Sequence, residues 1–165
     1  MVMRRFKVAQ VGVGARGQAT LAAFQKYGDS VDITAICDTD KTYLQEAATQ
    51  FHISACFSNV DDLIEHADFD VASVTTPTPV RQEVIQPFLE AGIHVLVDKP
   101  LAETLDHAKA IVACSEKNGR LVAVGQNFRY MSGFDSARRY LADRPLGTPR
   151  HLTHLLLGRR WDKGW

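Results

Sequence analysis

Near the amino terminus, Gly12-Val13-Gly14-Ala15-Arg16-Gly17 carries glycine at its first, third and sixth positions, directly after an apolar run and at the start of an amphipathic one. In that context the string has a physical meaning. The first glycine permits a tight turn, the second lets backbone approach a bound diphosphate, and the third packs helix against strand. N–H groups at the start of the helix then face the phosphates. Alone the string is a weak signal, because a glycine-rich turn that binds nothing looks the same.

Asp38 supplies context. It lies about twenty residues beyond the loop, at the end of the next apolar run, where the ribose of an adenosine needs an acceptor. Its carboxylate would accept from both ribose hydroxyls and repel a 2′-phosphate, which favours NAD over NADP. The competing reading is an N-cap of the following helix, a task Asp40 could fill instead. Arg16 and Lys41 are cations that could approach a 2′-phosphate, so NADP stays open as the second cofactor.

The third group is Asp98-Lys99-Pro100, which follows the apolar GIHVLV. A lysine there can take up a proton if partial burial and a neighbouring positive nicotinamide ring favour its neutral amine. The ordinary alternative is a surface ammonium paired with a carboxylate.

These groups need a scaffold that gathers them. Apolar and amphipathic runs alternate along the chain, which is the pattern of βαβ units in an α/β fold with a doubly wound parallel sheet, the Rossmann arrangement. Strands are predicted near Phe6–Gly12, Val31–Cys37, Val71–Thr75, Ile93–Val97 and Leu121–Gly125. Helices are predicted near Ala15–Tyr27, Lys41–Phe51, Asp61–His66, Pro79–Ala91 and Leu105–Asn118. Thr78 and Pro79 read as an N-cap and a first-turn proline, while Gly92 and Gly119 stand where helices end in positive φ. Pro87 falls inside a helix and removes its bond to Glu83. The strand ends then carry GVGARG, Cys37-Asp38, Thr75-Thr76-Pro77, Asp98-Lys99-Pro100 and Gln126-Asn127, so the polar residues collect on the one edge where such sheets bind ligands.

Beyond Tyr130 the pattern changes. A helical stretch, Ser132–Leu141, leads through ADRPLGTP to HLTHLLLGRRW, which reads as a strand. The expected division is a dinucleotide-binding domain over 1–128 and the start of a truncated second α+β domain over 129–165. A lone strand needs partners, so it offers an edge for pairing with another copy of the chain. His151 and His154 are three apart on that strand, face opposite sides, and could not share a metal. His52, His66, His94 and His107 read as isolated surface or packing residues, and no metal site is expected.

The bulk properties narrow the class. The chain has 165 residues, 45% of them hydrophobic, enough for a proper core. Nineteen basic and nineteen acidic residues cancel, so no strong field gathers nucleic acid or an anionic membrane. Cys37, Cys56 and Cys114 are odd in number and lack metal-site or disulfide spacing, which suits a reducing cytoplasm. The opening MVMRRFKVAQVGVG is basic then apolar, but Gln10 and its glycines interrupt the run, so it reads as a strand and not as a secretory signal.

Taken in order, GVGARG, Asp38, TTPTP, EAGIHVLVDKPLAET and VGQNFRY resemble the Gfo/Idh/MocA family of oxidoreductases. The resemblance runs from about Phe6 to Tyr130, with a weaker echo in LGTPRHLTHLLLGRRW. It implies a domain that binds NAD(P) and belongs to an enzyme moving hydride between a nicotinamide cofactor and the hydroxyl of a small-molecule sugar or cyclitol. Lys99 matches the lysine of the family's Glu-Lys-Pro motif, which approaches both the nicotinamide and the substrate hydroxyl. Asp98 replaces the usual glutamate, keeping the charge but shortening the reach of the cofactor contact to the nicotinamide ribose, and the Lys99–Pro100 bond is expected cis. Thr75, Thr76 and Pro77 match the loop that passes along the cofactor, and Gln126 and Asn127 match residues near the nicotinamide. Arg81 stands where many members have histidine and is assigned no role.

Members usually carry a second catalytic group, commonly histidine, in a later domain. These 165 residues are therefore expected to hold the cofactor and offer Lys99 without completing a catalytic cycle alone. The alternative is a non-catalytic dinucleotide-binding module, acting as a sensor or partner subunit. A flavin or methyl-donor site on the same fold would leave Asp98-Lys99-Pro100 unexplained.

Overall fold

Short runs rich in valine, isoleucine and alanine become strands here because helices cover both faces of the sheet they form. The computed structural model describes residues 5–143 together with 151 and 153. Six parallel strands, β1 (Phe6–Val11), β2 (Val31–Cys37), β3 (Cys56–Phe57), β4 (Val71–Val74), β5 (His94–Asp98) and β6 (Val122–Gly125), lie in the order β3-β2-β1-β4-β5-β6. All five pairings are parallel. That is the doubly wound order, and its switch point falls between β1 and β4.

The connecting helices are α1 (Ala15–Gln25), α2 (Lys41–Phe51), α3 (Val60–His66), α4 (Arg81–Glu90) and α5 (Leu105–Asn118). Alternation along β2 shows how the two faces are served. Ala35 and Cys37 belong to one buried cluster with Leu63, Phe88 and Ile111 of α3, α4 and α5. Ile36 belongs to the other, with Leu21 of α1 and Ala47 and Phe51 of α2.

Several expectations are corrected. β3 is absent from the predicted strands because two residues carry no period; it forms by Ile36 N–H donating to Ala55 O and Asp38 N–H to Phe57 O. Thr78 does not cap α4: residues Thr78–Val80 make a 3₁₀ turn, and the helix begins at Arg81 without a side-chain cap. α1 stops at Gln25, short of Tyr27. Gly92 and Gly119 do take positive φ, +78° and +61°. The C-cap of α2 is His52, at φ +56°, a left-handed residue that no glycine marked. His94 is a structural acceptor, its Nδ1 taking the Leu121 N–H at 3.0 Å.

By compactness the chain divides after Gln126. The described part of the second unit holds a 3₁₀ turn, Asn127–Tyr130, and α6 (Ser132–Asp143). There Phe128 stacks on Phe134, and Asp135 pairs with Arg138 and Arg139. His151 and Thr153 lie outside any strand, and the rest of the predicted terminal strand, including His154, lies outside the described residues. Among the described residues, no helix is long and apolar enough to cross a membrane and no cluster of acidic, histidine or cysteine side chains could hold a metal. The three thiols are free; burial above all, with Asp38 nearby, pushes Cys37 up to about 12, so it is no nucleophile.

Candidate functional site

The glycine loop leaves β1 at the switch point. Gly12 takes φ +82°, and its N–H donates to Cys37 O at 2.8 Å, so the turn is tied to the end of β2. Val13 turns its side chain fully into the core. Gly14 is the N-cap of α1 and offers no side-chain acceptor to the first-turn N–H groups. A Cβ on it would meet only the Tyr43 ring, at 4.0 Å, so the space over the loop is open. Ala15 and Arg16 are exposed beside it.

Gly17 is the opposite case. A Cβ there would stand 2.0 Å from Gly12 O and 3.1 Å from Thr75 Oγ1. Helix and strand end touch at this residue. Gly17→Ala is expected to destabilise the protein by about 1–3 kcal/mol and to weaken dinucleotide binding, read by urea denaturation and titration; a variant as stable as the parent would refute the contact.

Beneath the loop lies Gln10, which in the sequence stands out only as a break in an apolar run. Gln10, fully buried, donates from Nε2 to Gly12 O at 3.0 Å, to Val11 O at 3.2 Å and to Thr75 Oγ1 at 2.8 Å. Thr75 in turn donates to Gly12 O at 2.8 Å. A glutamine inside an otherwise apolar strand was the available signal, since buried amides persist where they find partners. Gln10 Oε1 and Thr76 Oγ1 are buried here without a partner among the described residues. Pro77, exposed, leads from Thr76 into the 3₁₀ turn.

At the end of β2, Asp38 accepts from Val13 N–H at 2.7 Å through Oδ2 and from Asp40 N–H at 2.9 Å through Oδ1. Asp40 caps α2, accepting from Thr42 N–H and Tyr43 N–H. The two aspartates therefore divide the work, and Asp38 is joined to the glycine loop.

Across the switch point, Asp98 closes β5. Arg16 donates to it twice, Nε to Oδ2 at 3.1 Å and Nη2 to Oδ1 at 2.7 Å. This corrects the expectation that Arg16 could serve a 2′-phosphate: its guanidinium sits at β5, three strands from the Asp38 end of β2, about 14 Å away by strand spacing. Burial pushes the Asp98 carboxyl up, but hydrogen bonds and charge from Arg16, helped by the Lys99 backbone and Arg81, hold it below its ordinary value. The same bond raises Arg16. A depressed carboxyl stabilises the fold fully above its unfolded value, and the contribution is lost as pH falls through the native value. Denaturation across the acid range should show this loss, with a flatter profile in Asp98→Asn; identical profiles would exclude Asp98 as its source.

Arg81, assigned no role from sequence, proves to be buried at 4% exposure. It donates from Nε to Thr76 O at 2.9 Å, and from Nη1 to Asp98 O at 2.6 Å and to Pro100 O. One guanidinium thus fixes the ends of β4 and β5. Burial lowers its pKa and Asp98 partly restores it. The Lys99–Pro100 bond is cis, as expected. Lys99 itself is exposed, so the described residues do not supply the partial burial asked of it. Gln126 N–H donates to Val124 O at 2.7 Å, beyond β6, and Asn127 begins the second unit.

The structure therefore brings Gly12, Gly14, Gly17, Asp38, Thr75, Thr76, Asp98 and Lys99 to the carboxyl ends of adjacent strands. An open loop over Gly14, uncapped N–H groups and a carboxylate at the neighbouring strand fit a dinucleotide.

Comparison with known proteins agrees. A profile described as the GFO_IDH_MocA oxidoreductase family, NAD-binding Rossmann fold, matches residues 6–126. D-apiose dehydrogenase of Paraburkholderia graminis is 30% identical over 89% of this chain and 39% of its own length. Inositol 2-dehydrogenase of Ralstonia nicotianae is 29% identical over 87% of this chain and 43% of its own. Among solved structures, the WlbA dehydrogenase from Bordetella pertussis in complex with NADH and UDP-GlcNAcA superposes with a TM-score of 0.81 at 23% identity, covering 85% of this chain and 42% of that one, a likeness of fold. The chain spans about two fifths of the length of these relatives.

Proposed function

This chain belongs to the Gfo/Idh/MocA oxidoreductase family and forms its NAD-binding Rossmann domain, and on that premise we propose that it serves a dehydrogenase acting on a sugar or cyclitol hydroxyl. The relatives' names support the substrate class, and the open glycine loop joined to Asp38 is the observation that carries the cofactor assignment. Residues 1–128 act as the dinucleotide domain, and 129–165 as the start of the substrate domain.

In this reading Gly12, Val13, Gly14, Ala15, Arg16 and Gly17 hold the diphosphate by backbone N–H groups and the dipole of α1. Asp38 accepts from the adenosine ribose hydroxyls with the lone pairs that Val13 and Asp40 leave. Thr75, Thr76 and Pro77 line the path across β4, with Gln126 and Asn127 toward the nicotinamide end. Bound NAD supplies the hydride acceptor. Lys99 Nζ stands at the end of β5 to receive the proton of the substrate hydroxyl, and Asp98 and Arg81 set where its backbone lies.

Titration with NADH and NADPH tests the assignment. The wild-type chain is expected to favour NADH by about tenfold or more, because a 2′-phosphate would lie against the Asp38 carboxylate. Asp38→Ser should shrink that ratio by about an order of magnitude. Equal affinity for both cofactors in the wild type would remove Asp38 from the role.

A further inference from the structure

Arg16 and Asp98 are 82 residues apart in sequence and belong to different βα units. Arg16 is the second residue of α1, Asp98 the last of β5, and β4 runs between their strands. Their bidentate pair therefore bridges the cleft at the switch point. It does so from the helix turn whose N–H groups have no side-chain acceptor. Arg16 is solvent-accessible, its side chain 54% exposed, whereas that of Asp98 is 11% exposed.

A guanidinium fork serves one bidentate anion well at a time. A diphosphate seated on the first turn of α1 would compete with Asp98 for the same fork, and it carries more charge. The main chain at Asp98 cannot follow Arg16, since Arg81 holds Asp98 O and Pro100 O from the opposite side. What can respond is the carboxylate, which keeps its bond from the Lys99 backbone.

We propose that Arg16 is a positioning residue that exchanges partners, holding Asp98 when the loop is empty and passing to the diphosphate when the dinucleotide binds. The exchange releases the Asp98 carboxylate, next to Lys99, for the nicotinamide-ribose contact that its place in the motif implies. Cofactor arrival thereby changes the charge around Lys99. This rests on the NAD-binding reading, which it deepens.

The test is calorimetric titration of the chain with ADP and with adenosine in buffer free of divalent cations. Asp98→Asn keeps the shape and one acceptor but gives up the charge that competes for Arg16. ADP should bind it about three- to fivefold more tightly than wild type, with adenosine unchanged. Arg16→Gln, on an exposed side chain, should weaken ADP by a similar factor, and Arg16→Lys should recover part of the loss. In the Arg16→Gln background, Asp98→Asn should bring no gain. An Asp98→Asn variant that binds ADP no better, or a gain that persists without Arg16, would overturn the exchange while leaving the cofactor assignment intact. Failure of the wild type to bind NADH at all would overturn that assignment and the exchange with it.

Discussion

Arg81→Met is expected to lower the stability of the protein by about 2–4 kcal/mol, a large loss for one polar side chain. Methionine fills most of the volume but leaves Thr76 O, Asp98 O and Pro100 O without their donor. These carbonyls are partly buried, so each stranded one costs toward the lower end of about 1–3 kcal/mol, and release from burying the cation offsets part of the sum. Against a total of roughly 5–15 kcal/mol for a domain, the variant should unfold at much lower urea. Arg81→Lys should not rescue it, because a single ammonium cannot span the carbonyls that the planar fork reaches. A loss below about 1 kcal/mol would mean that those carbonyls have other donors.

The second large effect concerns turnover. On the proposed reading, Lys99→Met in the whole protein reduces substrate-dependent appearance of NADH by about 10²–10⁴-fold, while NADH affinity stays within about a factor of two. The two measurements separate a proton acceptor from a binding residue. Lys99 sits one residue beyond Asp98 and before the Pro100 carbonyl held by Arg81, so its backbone is fixed although its side chain is exposed. Undiminished turnover would exclude Lys99 as the proton acceptor. Loss of affinity in step with rate would assign it to cofactor binding.

What could be read beforehand follows physical scale. The glycine string, the alternation of strand and helix and the end positions of Asp38 and Asp98 are local patterns, and each stands where expected. Asp40 as a cap and the positive φ of Gly119 are equally local. Arg81 was not legible, because its three acceptors come from two other loops and its residue type usually signals a surface. Gln10 left a trace, a polar residue in an apolar strand, but its partner Thr75 is 65 residues away. Arg16 was legible as a cation near phosphates and not as the partner of Asp98, since that depends on β4 and β5 lying side by side. β3 was too short to show a period at all.

The contact of Gly17 with Gly12 O limits how this chain can vary. Every alternative to glycine begins with the same atom, the Cβ for which there is no room, so all substitutions at position 17 share one clash whatever their polarity. Ala15 has no such restriction; it is exposed and already carries a Cβ. Position 15 can therefore change its chemistry beside the cofactor freely, whereas any change at position 17 carries the same cost of moving the helix away from the strand.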